Sequence, residues 1–484
     1  MQNSHCQLKK YWSILCILTL TPFLFWATIP ILPTFDDWTS LTSPSFEPLF
    51  TKERWLFFGY HWRPFDSFFG YILGLNPQLL FPTLNHCCVV LGHILCSFLV
   101  FEILSLLSFN KTSVNIATLF FFITPSAMAT VSAVDSMNQT YALFWGMLSF
   151  LLYIKLKKLK YIAWIILVFV ATLCKENGLM WALICPILAF GFSLIDQRML
   201  KKDLFIGCCV MMGYAAAILL FPKDIVIHPE YEPGITKAIS NTIKFLFTSF
   251  IHIDYIYLLH APSRNILLAV LSFLLALPFF LLVFIRPFKM YANKKIICTL
   301  LCLLIAIGPH VLTVFSMMHT YAGLPLITII LANGSHLLIK NNRPLIENSR
   351  LLATTFVLFL ISAVAIDIHL YIESYRSGLI GKQMAQEAIS ETGKPVKSVY
   401  VVIIEDEYPK LSSFCVIPSD AFGWGIAAKY ETNYQWPVNI SDTIIVRTSD
   451  AVQNAKRMAA ESLNSSKYEC VWIINHQDIE VIKK

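Results

Sequence analysis

The sequence is short of charge. Only 14% of its 484 residues are Asp, Glu, Lys or Arg, against 56% hydrophobic, and the mean hydropathy is +0.63. Such a composition excludes an ordinary soluble enzyme and points to an α-helical, polytopic membrane protein, because apolar runs of about 20 residues recur, roughly the length that crosses a bilayer as a helix. Metal-ligating cysteine spacing is also missing. Most of the 13 cysteines lie inside apolar runs and none forms Cys-x-x-Cys, which argues against a metal centre; only Cys415 and Cys470 stand where a disulfide could form. No fixed-period repeat marks a solenoid, and no small-residue cleavage site follows the first apolar run, so that run is expected to be a retained helix. Gly423-Trp424-Gly425 lacks the third glycine, strand and helix of a nucleotide fingerprint and reads as a turn beside Trp424. The basic excess, 37 Lys and Arg against 30 acids, sits mostly in loops and speaks for membrane topology, with no nucleic-acid partner implied.

Hydropathy predicts about eleven crossings, over residues 11–33, 82–107, 114–131, 139–154, 161–174, 177–195, 204–221, 266–286, 296–316, 321–339 and 351–371. The basic clusters Lys9-Lys10, Lys155 to Lys160, Arg198 to Lys202, Arg286 to Lys295 and Lys340 to Arg350 then fall on one side, the cytoplasmic one. The segment 242–260, interrupted by His252, Asp254 and His260, reads as interfacial or re-entrant. The expected division is a transmembrane domain over 1–375 and a small soluble α/β domain over 380–484. The latter has strand-like runs at 399–404, 443–446 and 471–474 and a helix-like stretch at 450–463.

Polar chemistry concentrates in the first outer loop, 34–81. Asp36 and Asp37 directly follow an apolar span, where a carboxylate acting as general base could meet a membrane-borne substrate without lying in hydrocarbon; the alternative is a solvated pair capping the next segment. Trp38, Trp55, Tyr60 and Trp62 are amphipathic aromatics suited to a membrane boundary and to stacking on a sugar. Arg63 could grip a phosphate in two-pronged fashion or snorkel to headgroups. Lys175-Glu176 interrupts two apolar halves, where charge facing lipid would cost roughly 2.5–3.5 kcal/mol per group. The pair should therefore face a cavity, with Lys175 either binding an anion or neutralised by Glu176. His86 and His93 share a helical face and read as packing residues, not ligands, while Tyr321 reads as an interfacial aromatic.

Asp-Asp-Trp after the first helix, Trp-Arg-Pro at 62–64, Gly-Leu-Asn-Pro at 74–77 and Cys-Lys-Glu-Asn at 174–177 occur in an order that resembles the GT-C fold glycosyltransferases. Within these the chain is similar to bacterial relatives of the protein O-mannosyltransferases and of the transmembrane-and-tetratricopeptide mannosyltransferases, over residues 10–340. The resemblance implies transfer of a sugar from a polyprenyl-phosphate carrier to a glycan, lipid or protein acceptor on the non-cytoplasmic face, with inversion. Asp36 or Asp37 would be the base, with Asp37 slightly favoured because the motif places it directly before Trp38, although sequence does not separate the two. Arg63, Lys175, Glu176, His319, Trp38 and Trp62 would form the substrate site, with a divalent cation (Mg or Mn) as a possible cofactor. Where relatives carry His-Pro and Thr-Glu, this chain has Thr124-Pro125 and Met128-Ala129, leaving Asp135 as the nearby carboxylate. Where they carry Arg-Tyr, it has Thr320-Tyr321, with His319 the nearest cation. The implied location is a bacterial inner membrane, the N-terminus cytoplasmic and the C-terminal domain periplasmic or extracellular. A lipid or solute transporter or flippase would instead set carboxylates within its spans and show inverted repeats. A non-catalytic cell-envelope assembly protein would dispense with both aspartates.

Overall fold

The computed structural model describes residues 11–38, 64–220, 233–251, 263–285, 293–312, 315–340, 345–405, 421–433 and 435–484. Fifteen helices precede the first strand among these residues. They are α1 (Trp12–Thr28), α2 (Pro64–Leu75), α3 (Pro77–Leu80), α4 (Thr83–Leu106), α5 (Lys111–Ile123), α6 (Pro125–Ser132), α7 (Met137–Lys155), α8 (Lys160–Cys174), α9 (Trp181–Gly191), α10 (Gln197–Leu220), α11 (Ile235–Ile251), α12 (Ser263–Phe280), α13 (Lys294–Leu312), α14 (Leu324–Lys340) and α15 (Leu345–Thr392).

Eleven crossings are not what these helices provide. Four are long and apolar enough to cross a membrane: Thr83–Leu106, Ile266–Phe284, Lys294–Leu312 and Ser349–Thr392. A fifth appears if α5 and α6, bent by 42°, count as one span. The discrepancy is physical. A helix rises about 1.5 Å per residue and the hydrocarbon core is about 30 Å thick, whereas α1 has 17 residues and α8 has 15. Hydropathy scores the greasiness of such segments but not where their helices stop. Pro125 occupies the first turn of α6 and forces Thr124 into extended backbone, ending α5. Lys175 is likewise extended (φ −158°, ψ 145°) between α8 and a 3-10 turn, Glu176–Met180. Gly178 in that turn lies so close to the α8 backbone that a Cβ would stand 2.3 Å from the Ala171 carbonyl carbon. The chain is an integral, multi-pass membrane protein built around a core of buried aromatic and aliphatic side chains, with Phe120, Phe279, Phe356 and Phe359 stacked near its centre.

One end of the bundle gathers basic residues. Asp203 of α10, fully buried, accepts from Lys160 Nζ at 3.0 Å, from Tyr161 Oη at 2.9 Å and from Tyr153 Oη, tying α7, α8 and α10 together. Lys294 caps the Phe190 ring and Lys155 pairs with Glu102 nearby on the same set of helix ends. The opposite end carries the turn 35–38 and the C-terminal domain.

The boundary expected near 375–380 falls inside a single helix. α15 runs 48 residues, presenting an outward apolar stripe at Val357, Ile361, Val364, Ile368, Ile372, Tyr375 and Leu379, and then becomes part of the sheet domain. There follow β1 (Ser398–Glu405), α16 (Ile426–Glu431), β2 (Asn439–Val446), α17 (Ala451–Asn464), β3 (Cys470–Asn475) and β4 (Asp478–Lys483). The sheet is open, in the order β2-β1-β3-β4, with β1 parallel to β2 and β3 and β4 antiparallel to β3. β1 is buried on both faces, which is why it reads as a continuous apolar run. Val399, Val401 and Ile403 pack on Met384, Ala385 and Ala388 of α15, while Val402 and Ile404 pack on Ala451, Ala455 and Ala459 of α17. Cys470 is a buried free thiol; Cys415, its suggested partner, lies outside the described residues.

Segment 242–260 falls partly in α11, an amphipathic helix that ends at Ile251. His252, Asp254 and His260 lie outside the described residues.

Candidate active site at the acidic turn

The Asp-Asp motif forms a 3-10 turn, Phe35–Trp38, immediately after α1. Asp37 is 5% exposed, and each of its oxygens accepts a backbone N–H: Oδ2 from Thr34 at 2.9 Å and Oδ1 from Asp135 at 2.9 Å. The first bond closes the turn on itself. The second reaches across 98 positions of sequence to the 3-10 turn Val134–Ser136 between α6 and α7. Asp37 thereby holds the half-buried Asp135 beside the Phe35–Trp38 turn. Asp36 sits in the same turn.

From Asp135 a hydrogen-bonded path leads to Lys175. Ser136 Oγ lies 3.4 Å from Asp135 Oδ1 and 3.3 Å from Met318 Sδ, and Thr130 Oγ1 donates to the Met318 carbonyl at 3.4 Å. With the Gln139 amide oriented to satisfy both its ends, its nitrogen donates to the same Met318 carbonyl at 3.1 Å and its oxygen accepts from Lys175 Nζ at 3.1 Å. Lys175, 7% exposed, is presented by the extended break between α8 and the following turn, where Glu176 is half-buried. Four sequence-distant segments, 34–37, 135–139, 175 and 318–319, therefore meet at one end of the bundle.

His319 adjoins Met318 in the 3-10 turn Met317–Ala322, and its Nδ1 accepts from the Ser316 backbone at 3.0 Å. Its ring stacks on His310 at the end of α13, centroids 4.1 Å apart and the planes nearly parallel. With Nδ1 an acceptor, His319 Nε2 carries the hydrogen. Sequence reading missed Gln139, Met318 and His310. The polar run Asn138-Gln139-Thr140 at the start of an apolar helix was the available signal for the first; the Met318 contribution is largely a backbone carbonyl, to which residue identity gives no clue.

The remaining sequence expectations distribute differently. Trp38 is 4% exposed, its Nε1 donating to the Ala421 carbonyl at 3.3 Å and its ring meeting Phe81 and Tyr430. It is held by the C-terminal domain. Arg63 and Trp62 lie outside the described residues, as do Trp55 and Tyr60. His86 Nε2 bonds the Ile31 carbonyl at 3.0 Å, and His93 bridges the Phe122 carbonyl and the Tyr321 hydroxyl. Both histidines are packing residues. Tyr321, expected at a membrane interface, is fully buried as the partner of His93. Among the described residues no group of three or more His, Cys, Asp and Glu is arranged to hold a metal ion.

No family model matches the chain, and neither does any curated protein. Among solved structures it is similar to the archaeal oligosaccharyltransferase AglB from Archaeoglobus fulgidus, in complex with an inhibitory peptide and a dolichol-phosphate. The identity is 14% and the TM-score 0.42, and the match covers 99% of this chain and 75% of that one.

Proposed function

We propose that this protein is a membrane glycosyltransferase of GT-C type that moves a sugar from a polyprenyl-phosphate carrier to an acceptor hydroxyl on the non-cytoplasmic face. The observation that carries the reading is the convergence of an acidic turn, a second carboxylate, the Lys175 ammonium and the His319 N–H donor at the end of the bundle opposite its basic end. Positive flanks favour the cytoplasm, so the acidic end faces outward.

In such a reaction the acceptor oxygen forms a bond to the anomeric carbon as the bond from that carbon to the phosphate oxygen breaks. Attack from the side opposite the phosphate inverts the centre. The acceptor proton passes to a carboxylate, and the phosphate leaves with the bonding pair. We assign the base to Asp36. Its neighbour Asp37 is buried with both oxygens accepting backbone N–H groups, which suits a residue that fixes the turn and not one that meets an acceptor. Lys175 and the Nε2–H of His319 are the groups to offset charge building on the departing phosphate, and Gln139 orients Lys175. A divalent cation would add positive charge at the same place.

The test is transfer of radiolabel from polyprenyl-phosphate sugars to a membrane extract by the purified, reconstituted protein. The expected result is label transfer by the wild type and its loss, by about 10² to 10⁴ in rate, in Asp36→Asn. Equal transfer by both would overturn the assignment of this loop.

A further inference from the structure

The C-terminal domain grips the acidic turn. Trp38, the residue directly after Asp37, belongs to the core cluster that contains Val401, Ile403, Phe422 and Trp472 of the sheet domain together with Leu73 and Phe81. It abuts Gly423, where a Cβ would stand 2.2 Å from Trp38 Cδ1 and 2.6 Å from Cγ. Gly423, Trp424 and Gly425 all have positive φ (59°, 51° and 101°), so this turn presents bare backbone to the indole in a conformation that favours glycine. Around the ring, Trp38 Nε1 donates to the Ala421 carbonyl and Tyr430 Oη donates to the Phe81 carbonyl at 2.9 Å. Gln78 Nε2 in turn donates to the Tyr430 carbonyl at 2.6 Å. α15 runs past the same place: Gly378 abuts Leu32, just before the turn, and Gly381 abuts Ala421.

Resting on the glycosyltransferase reading, we infer that the C-terminal domain is a positioning element of the active site, setting the placement of the Asp36-Asp37 turn by seating Trp38 on Gly423. The turn has only four residues, and one Asp37 bond reaches only Thr34, directly before it. Its placement depends on what holds its two flanks. Asp37 ties it to Asp135 and Trp38 ties it to the sheet domain, so displacing the indole moves the adjacent carboxylates relative to Lys175 and His319. A misplacement of about 1 Å caused by a change away from the chemistry can cost about 10²-fold in rate. Trp38, Gly423 and Tyr430 are in this sense positioning residues.

The experiment compares full-length wild type, Gly423→Ala, Trp38→Phe and the double variant Gly423→Ala/Trp38→Leu in nanodiscs. It follows amide exchange of the segments containing 34–38 and 134–136 together with transfer kinetics. In Gly423→Ala, exchange at both segments is expected to rise at least tenfold while α17 and β3 stay protected. Turnover should fall about 10²-fold with the donor KM within a factor of two. The double variant removes the clash but also the indole and its bond to the Ala421 carbonyl, so its exchange and turnover should be no better than those of Gly423→Ala; full recovery would overturn the inference, because the seat of the indole would then not set the turn. Trp38→Phe keeps a ring but loses the bond to Ala421, and a smaller loss in the same direction is expected; it is the deciding variant if Gly423→Ala fails to fold. Unchanged exchange at 34–38 in Gly423→Ala, or a loosened turn with unchanged turnover, overturns the inference. Absence of transfer by the wild type sinks the glycosyltransferase reading instead, and the exchange data still decide whether the domain holds the turn.

Discussion

Replacing Asp37 with Asn separates a carboxylate that shapes the site from one that does chemistry. The structure gives the cost. Both Asp37 oxygens accept backbone N–H groups, from Thr34 and Asp135, in a site only 5% exposed. An amide has one oxygen and one NH2, so whichever way it turns, one buried N–H faces a donor. Leaving that donor unsatisfied costs about 1–3 kcal/mol, and the surviving bond loses its charge assistance, worth about 1 kcal/mol more. Asp37→Asn should therefore destabilise this end of the molecule by about 2–4 kcal/mol. In amide exchange, Thr34 and Asp135 should lose protection together, although they lie on opposite sides of the contact. Transfer should fall with them and recover partly on cooling or with saturating donor. Asp36→Asn should leave exchange at both amides unchanged while abolishing transfer. The reasoning is refuted if Asp37→Asn retains wild-type protection and thermal stability yet loses transfer by 10² or more, for then Asp37 is itself the proton acceptor.

Other perturbations test other joints of the structure. Lys175→Met should raise the donor KM at least tenfold with little change in thermal stability, as a lysine supplying charge to a phosphate would; an unfolded variant whose surviving fraction binds donor normally would make Lys175 structural. Asp203→Ala leaves Lys160 buried without the carboxylate that pairs with it and should cost about 3–5 kcal/mol, read as a lower Tm, whereas Asp203→Ala/Lys160→Met should regain most of the loss. Burial, and secondarily Glu431, raises the Tyr430 phenol above its ordinary value near 10. Its folded pKa being raised, the stability it confers is whole below pH 10 and is lost as pH climbs through the folded value. The fall in Tm between pH 9 and 11 should accordingly be steeper for wild type than for Tyr430→Phe, and equal slopes would remove Tyr430 from the docking of the domain.

What the sequence disclosed followed from how local each signal was. The runs 399–404 and 471–474 lie within β1 and β3, because strands covered on both faces need no alternation to be seen. The helix expected at 450–463 is α17, whose alanines at 451, 455 and 459 recur every fourth residue along the buried face. The breaks at Thr124-Pro125 and Lys175-Glu176 were visible as residues but not as ends of helices, and so the hydropathy profile counted spans where short helices stop. Least legible were contacts between distant segments. Nothing in the residues around Gly423 announces that an indole from position 38 will lie on it, and Gln139 looks like any polar residue near the start of a helix until the fold sets Lys175 beside it.

The continuity of α15 gives these contacts their consequence. A helix that leaves the membrane-spanning part of the molecule and continues unbroken to Thr392 carries the sheet domain on a rigid stem, and Met384, Ala385 and Ala388 make that stem part of the domain core. The domain therefore cannot swing freely about a linker at the expected boundary. The acidic turn is consequently held from three directions: by α15 through Gly378 against Leu32, by the Val134–Ser136 turn through Asp37, and by the sheet domain through Trp38. A turn of four residues needs such external support, since the bond from the Thr34 N–H to Asp37 does not by itself fix a carboxylate to within the fraction of an ångström that proton transfer requires. It also follows that the three supports fail differently. Loss of the Asp37 contact unsettles Asp135 as well, whereas loss of the Trp38 contact frees the turn while leaving Ser136, Gln139 and Lys175 joined through Met318, so comparing exchange at those two groups of amides tells which support a given variant has broken.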